Sequence, residues 1–448
     1  MLRSAVCVAA IALVTAGGAS AEVVARGVQD GLLALDVQGA PSVAWVHNST
    51  LFLATRTATG GWTRTATASV PPGSSAVAFE IGAAGPVLLA QSGDDRTIVL
   101  VRRRSIGWET VRIAKVGALF RLGWPGLALN RAGQPTISYT RWNGPTLKSR
   151  LLVSRVDAKD RISTRRITQE GFPKSLVPPP SAPVFFGDVT HVVESYGYRG
   201  VLGTIEWFPA KKDWTGLALA AGLGDYPLGP VLAGLSPNGT MHAAWTESLL
   251  SFDTEAAPVT LVDRRRFASS AFVLDRALTS ALTLPPTGPE VAANQWIGQY
   301  DLGLIGDSNL WAGTIVRSHS KVELDGWIAG YAVAPRGARD LLLGGPEGLR
   351  WFRVPRRLTA KVTIEASDDG DSVLLSGRVA GVASGNVTIY RERPGQTRIA
   401  IGRAAITAGG YSFLDHPTQR PLVYRAVYTD PATGVPYGAL LRKPIFGQ

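Results

Sequence analysis

One cysteine, Cys7, and two methionines are all the sulfur in 448 residues. With a single thiol no intramolecular disulfide forms, and no cysteine cluster can hold a metal. Histidine is almost as scarce, at five, and none stands in a His-x-His or His-Glu-x-x-His arrangement, so neither a metal site nor a cofactor is expected. The chain also lacks a Gly-x-Ser-x-Gly nucleophile elbow, a phosphate loop and a dinucleotide fingerprint. Beyond the N-terminus no apolar run approaches the roughly 18 residues of a membrane span, so no span is expected. Lysine supplies only 9 of the 46 basic residues, leaving 37 arginines. The formal charge is +12. Along the sequence the basic residues look scattered, without an arm or stripe, so nucleic acid is not an expected partner.

What the chain does have is 50 Gly and 29 Pro spread among Val, Thr and Trp, with 45% hydrophobic residues. That mixture favours many short strands and turns over long helices. At the N-terminus Met1-Leu2-Arg3 is positive, Ala5 to Ala16 is almost wholly apolar, and Ala19-Ser20-Ala21 is a small-x-small cleavage site. Residues 1–21 therefore read as a secretory signal that carries Cys7 away. The expected location is secreted, extracellular or associated with the cell envelope.

Three segments repeat clearly: GAPSVAWVHN from Gly39, GQPTISYTRW from Gly133 and GTMHAAWTES from Gly239. Each follows an apolar strand and an Asp, Asn or Ser, and so reads as strand, tight turn, strand. The glycine supplies a positive φ, and the preceding side chain can accept hydrogen bonds from the turn amides. Pro41, Pro86 and Pro135 open the returning strand, where a missing N–H matters least. Weaker copies place turn glycines at Gly85, Gly187, Gly298 and Gly337, giving seven units about 50 residues apart. Third strands such as Leu51 to Thr55, and fourth strands opening at Gly61-Trp62 and Gly107-Trp108, complete four strands per unit. An all-β, seven-bladed β-propeller over residues 22–355 is the expected fold, with six blades as the alternative. Repeat 7 lacks a fourth strand while Glu22 to Arg26 is spare, so the N-terminal strand is expected to close the ring against Leu349 to Val354.

The run of apolar strand, Asn/Asp-x-x-Gly-x-Pro, strand ending in Tyr or Trp, and Gly-x-Trp resembles the sialidase-like and BNR-like repeat propellers of exported bacterial proteins. Residues 356–448 alternate differently. There Ser376-Gly377-Arg378-Val379 and Tyr424-Arg425-Ala426-Val427-Tyr428 resemble immunoglobulin-like or fibronectin type III-like modules, which implies a β-sandwich acting as a spacer. The true sialidase Ser-x-Asp-x-Gly-x-x-Trp boxes are absent, and Phe352-Arg353-Val354-Pro355 echoes the sialidase Phe-Arg-Ile-Pro motif at the wrong end of the repeats.

In a propeller the second strands end at the face where ligands usually lie. Six residues after the turn glycine stand Trp45, Tyr139 and Trp245, read as inter-blade core. Eight after it stand His47, Arg141 and Glu247, with Glu194 and Tyr196 as equivalents in repeat 4. Inter-blade loops on the same face carry Trp124, Phe172 and Tyr226. His47, Arg141, Tyr196, Glu247, Trp124 and Tyr226 are thus the candidate ligand residues, for a surface glycan or an extracellular protein. Glu194 and Glu247 form an alternative catalytic pair for a polysaccharide hydrolase or lyase, which needs one protonated and one ionised carboxyl. A structural envelope scaffold is a third reading. The runs Arg102-Arg103-Arg104 and Arg264-Arg265-Arg266 read as solvated outer strands.

Overall fold

The computed structural model describes residue 21 onward, except 124, 144–148, 168–180, 187, 199–200, 211–212, 223–224, 236–239, 250–255, 264–267, 276, 285–289, 297–310, 318–319, 335–336, 346, 355–357, 359, 393–397, 419–422, 442–444 and 446–448. Residues 1–20 of the expected signal lie outside the described residues, as do Trp124, Phe172, Gly187, Gly239, Gly298, Arg264 to Arg266 and the expected boundary at Pro355. Every described element is a strand.

The turn chemistry sets the hairpins. Asp36 accepts hydrogen bonds at Oδ1 from the amides of Gln38 (2.9 Å) and Ala40 (2.8 Å). Asn130 does the same for Ala132 (3.0 Å) and Gln134 (2.9 Å). Gly39 and Gly133 close these turns at φ 79° and 73°, a region a β-carbon disfavours. Strands Pro41–His47 and Pro135–Asn143 begin at the prolines. Repeat 6 departs from the expectation. Its first two strands are Ala277–Thr283 and Glu290–Trp296, so Gly298 falls after the second strand and not in the hairpin between them. That connection contains Gly288, which lies midway between Gly239 and Gly337 and restores the repeat.

Sheet 1 is the antiparallel meander Leu32–Leu35, Pro41–His47, Thr50–Arg56 and Trp62–Ser69. Sheet 2 is Ser75–Gly82, Gly85–Gln91, Thr97–Arg104 and Gly107–Lys115. In sheet 3, Pro135–Asn143 pairs with Phe120–Leu122 and Gly126–Leu129 on one side and with Ser149–Val156, then Ile162–Arg166, on the other. Sheets 4 (from Val184–Phe186 to Asp213–Gly222), 5 (from Asp225–Leu235 to Ala268–Asp275) and 6 (from Ala277–Thr283 to Ser320–Leu324) repeat the meander. Sheet 7 has Trp327–Val333, Arg339–Gly344 and Leu349–Val354 from the end of the repeats. Its fourth strand is Glu22–Ala25, with Glu22 opposite Trp351 and Ala25 opposite Leu349.

Because side chains alternate across a strand, consecutive residues serve different neighbours. In sheet 2, Leu88 packs with Ala44, Leu51 and Leu53 of sheet 1, while Leu89 packs with Ile137 and Tyr139 of sheet 3. Val192 of sheet 4 joins Leu151 and Val153 of sheet 3, and Val193 joins Val231 and Met241 of sheet 5. The same rule carries sheet 7 onto sheet 1: Leu342, Leu349 and Trp351 cluster with Val43, Trp45, Ala54, Val24 and Ala25. Each buried Leu or Ile in these gaps contributes about 1.5–3 kcal/mol. Glycine permits the closest approach, since a β-carbon on Gly330 of sheet 7 would meet Leu33 of sheet 1 at 2.5 Å.

Polar clamps reinforce the gaps. Asn294 donates from Nδ2 to the Ile328 carbonyl (2.8 Å) and accepts at Oδ1 from the Ile328 amide (2.7 Å), continuing a strand-like pairing from sheet 6 to sheet 7. Arg339 donates to buried Glu290, which also receives the Tyr331 hydroxyl. The Phe352-Arg353-Val354 segment is another clamp: Arg353 grips Asp340 through two nitrogens (2.9 and 3.0 Å) and donates to the Gly39 carbonyl of sheet 1 (2.6 Å). Arg102, expected on a solvated strand, is instead buried at 7% exposure and paired with Glu109 and with Asp160 of sheet 3. Its acidic partners come from a later strand and a later sheet, which the local sequence does not show.

The C-terminal strands join the same body. Leu324, ending sheet 6, pairs with Tyr437 of Pro436–Leu440, and a shared core runs from Ile328 and Tyr331 to Val387, Ile389, Tyr424 and Ala426. At the junction the Asp325 carboxylate, 4% exposed, accepts from Arg398 (2.6 Å) and Arg425 (3.2 Å), and Arg425 also reaches Glu392 (2.8 Å). Burial pushes the Asp325 carboxyl up, but Arg425 and Arg398 together outweigh it and hold the group below its usual range. Removing one partner of a buried ion network leaves uncompensated charge and costs about 3–5 kcal/mol. Asp325→Ala should therefore lower the stability measured by urea unfolding by about that much, whereas Asp94→Ala on an exposed turn should change it by less than about 1 kcal/mol.

Candidate functional site

Like ends of the first strands abut between sheets 2 and 3 and between sheets 5 and 6: a β-carbon on Gly82 would touch Leu129, and one on Gly234 would touch Leu284. The candidate face is the one at which the second strands end. His47 is the last residue of Pro41–His47. Arg141, Tyr196 and Glu247 each lie two residues from the ends of Pro135–Asn143, Val189–Tyr198 and Met241–Leu249. Side chains of Tyr196, Tyr226, Trp245 and Glu247 are outside the described residues, so only their backbone places are stated. Tyr226 belongs to the long first strand of sheet 5 and not to a loop. Its backbone lies opposite Ser248, one step from the Pro227–Glu247 pair.

At this face sheets 7 and 1 leave a pocket of about 210 Å³. Trp45, Phe52 and Ala66 come from adjacent strands of sheet 1, Arg64 and His47 stand on the same sheet, and Ala25 ends the N-terminal strand with Arg26 and Val28 just after it. Trp45 is buried and stacked on Phe52, with centroids 5.5 Å apart and planes 12° from parallel. His47, Arg26 and Arg64 are exposed, and none of the lining residues is acidic. An aromatic wall with two guanidiniums and an imidazole suits a small polar ligand with hydroxyls or one negative group; the volume is below the range of about 300–1,000 Å³ typical of drug-sized ligands. Arg26 and Arg64 were not singled out by sequence. Arg64 sits four residues past a turn glycine on an exposed strand, where an arginine is unremarkable until the chain's first residues come beside it. A larger hollow of about 670 Å³ lies elsewhere, between residues 361–366, 439–441 and Glu323, and holds none of the candidate ligand residues.

Glu194 does not open to this face. It is 6% exposed, accepts from the Trp207 indole N–H (3.2 Å), and burial pushes its carboxyl up to about 8. A carboxyl neutral at pH 7 is what a general acid requires, but here its environment is the packed interior of sheet 4. Glu80, on the first strand of sheet 2, is accessible to water yet crowded by surrounding chain, and desolvation pushes it up to about 7. His191 and His242 stand near the starts of their second strands, at the opposite end from His47, and among the described residues no group of three or more metal-ligating side chains converges. No helix of the described residues is long and apolar enough to cross a membrane.

No protein-family model and no curated protein matches the chain. Among solved structures it is similar to AofleA from Arthrobotrys oligospora, at 10% identity over 69% of this chain and 92% of that one, with a TM-score of 0.41. It is similar to the Pyrococcus horikoshii acylaminoacyl peptidase at 8% identity and TM-score 0.42, covering 80% of this chain but only 58% of the peptidase. The β-propeller domain of the trilobed protease from Pyrococcus furiosus matches at 8% identity over 73% of this chain and 93% of that one, with a TM-score of 0.40. β-Propellers are thus among the structures this all-β chain resembles. At these TM-scores the likeness carries no argument of its own, and the architecture stands on the strand pairing.

A carboxyl whose folded value is raised binds its proton more tightly in the fold, so it stabilises at low pH and that contribution is lost as pH rises from its ordinary value through the raised one. For Glu194 the window runs from 4.5 to about 8, and Glu80 acts with the same sign up to about 7. Glu194→Gln keeps an acceptor for Trp207 without a charge to bury. Its melting temperature should exceed the wild type's at pH 9 by several degrees and match it at pH 4.5; parallel pH profiles for the two proteins would refute the assignment.

Proposed function

We propose that the chain is an exported recognition protein: a seven-bladed β-propeller closed by its N-terminal strand and followed by an immunoglobulin-like β-sandwich, binding a surface glycan or an extracellular protein at the face where the second strands end. Sheets 1 to 7 are the blades. The pairing of Glu22–Ala25 with Leu349–Val354 and the shared core of sheets 7 and 1 support closure. The pocket walled by Trp45 and Phe52 and rimmed by His47, Arg26 and Arg64 is the observation that carries recognition. Arg141, Tyr196, Glu247 and Tyr226 extend the same face toward the other blades. The hydrolase reading lacks an exposed acid at Glu194, and chemistry is not part of the proposal.

Two measurements follow from this reading. On a glycan array, the wild type should give discrete hits that His47→Ala combined with Arg64→Ala weakens at least tenfold, and incubation of the hit glycans should release no reducing sugar. Uniformly blank arrays together with blank protein pull-downs would favour a scaffold instead. For closure, deleting Glu22 to Arg26 removes a strand whose partners are more than 300 residues away in sequence, and should lower the melting temperature by several degrees. An unchanged melting curve would place the N-terminus outside the cooperative unit.

A further inference from the structure

The basic excess of the chain is concentrated in one segment, and the fold sets part of it on one face. Between Phe120 and Ile167, the span of sheet 3, stand ten Lys or Arg and two Asp, so this one sheet accounts for +8 of the chain's +12. Both aspartates are engaged. Asp157 accepts from the amides of Lys159 and Arg161 and from the Arg161 guanidinium (2.6 Å), and Asp160 is held by Arg102 and Arg104 of sheet 2.

Within the sheet the register sets arginines side by side. Arg141 lies directly opposite Arg150, and Arg166 lies opposite Leu152, two residues from Arg150 and so on the same face. Like charges directly across a sheet destabilise it. Arg141 and Arg166 pair with no acidic side chain among the described residues, and Arg141 is stacked over the Phe120 ring at 5.0 Å. Desolvation, then the neighbouring Arg141 and Arg166, pull the Arg150 guanidinium below its usual range. Beyond them the last strand, Ile162–Arg166, is exposed along its whole length; Thr164 shares the Arg166 face with its hydroxyl bonded to Ser154 (2.7 Å), and Ser163 and Arg165 lie on the other face.

We propose that this part of sheet 3, at the second-strand face, docks an acidic polysaccharide bearing carboxylate or sulfate groups, gripped by Arg141 and Arg166 with Arg150 between them. The proposal rests on the recognition reading above and names the ligand class for this region of the face. Guanidiniums on three adjacent strands, Arg150 directly across from Arg141 and Arg166 diagonal to Arg150, suit a chain carrying several anions better than one small anion. Each guanidinium presents a planar fork that matches carboxylate or sulfate oxygens. The Phe120 ring is already capped by Arg141 and is no free platform for the base stacking that single-stranded nucleic acids use.

The test uses the full secreted chain with polygalacturonate, dextran sulfate, neutral dextran, single-stranded poly-dT and polyglutamate as probes at several salt concentrations. The expected result is binding to polygalacturonate or dextran sulfate that falls steeply with salt. It should weaken at least tenfold in the Arg141→Gln, Arg166→Gln double variant, while the melting temperature is unchanged or raised because like charges have been separated. A purely structural role for these arginines would instead lower the melting temperature. Absence of binding to both acidic polysaccharides, equal affinity for poly-dT or polyglutamate, or an unaffected double variant would each overturn the proposal. Array hits at the His47 pocket that persist in the double variant would leave the recognition reading standing in those cases; a wild type that gives neither a glycan hit nor a protein pull-down would remove both.

Discussion

A four-stranded sheet whose two faces are both apolar cannot cover itself, and the rest of the molecule depends on that constraint. Leu88 and Leu89 are adjacent in sequence and fully buried, yet one belongs to the core shared with sheet 1 and the other to the core shared with sheet 3. Every sheet must therefore find a neighbour on each side. Sheets 7 and 1, the last and first of the succession, share such a core through Leu342, Leu349 and Trp351 with Val43, Trp45 and Ala54. The N-terminal strand belongs to this solution, since Val24 and Ala25 are part of the core at that seam.

Polar groups follow the apolar ones. Once two faces meet, any buried carboxylate or guanidinium in the gap needs a partner from the other sheet, and the clamps Arg102–Asp160, Arg339–Glu290 and Arg353–Gly39 supply it. Arg353 stands in a segment whose sequence echoes a catalytic family, but its contacts are those of a clamp. The C-terminal strands are fastened by the same means, through backbone pairing at Leu324 and Tyr437 and the ion network around Asp325. They share a core with sheets 6 and 7, so the two regions are mechanically continuous, unlike modules joined by a bare linker.

The surface that remains differs from the gaps in its charge. The second-strand face carries a stacked aromatic pair beside His47 and arginines, and sheet 3 opposes arginine to arginine. Like-charge pairs lower the stability of a sheet. Glu194 is the converse case. Its raised value has the signature of a functional acid, but its cause is burial beside Trp207 in a packed interior.

Local chemistry was legible in the sequence wherever it depends on a few consecutive residues. The Asp36 and Asn130 turns, the strands opening at Pro41 and Pro135, the burial of Trp45 and Tyr139, and the all-strand character follow from side chains acting on their own backbone and from the two-residue period of a strand. Where that local signal was weak, as in repeat 6, the turn was assigned to Gly298 instead of the connection holding Gly288. The partner of Glu22–Ala25 was legible too, because a spare strand at one end of the repeats matches a missing fourth strand at the other. Two things were decided only by the tertiary structure, because they depend on residues far apart in the chain: the burial of Arg102 against an aspartate of the next sheet, and the meeting of Arg26 with His47 and Arg64. The charge on sheet 3 divides between the two. Its excess lies in one continuous segment, residues 120–167, and is countable in the sequence, whereas the meeting of Arg141, Arg150 and Arg166 on one face is set by the register of antiparallel pairing, which burial fixes and the charged residues do not.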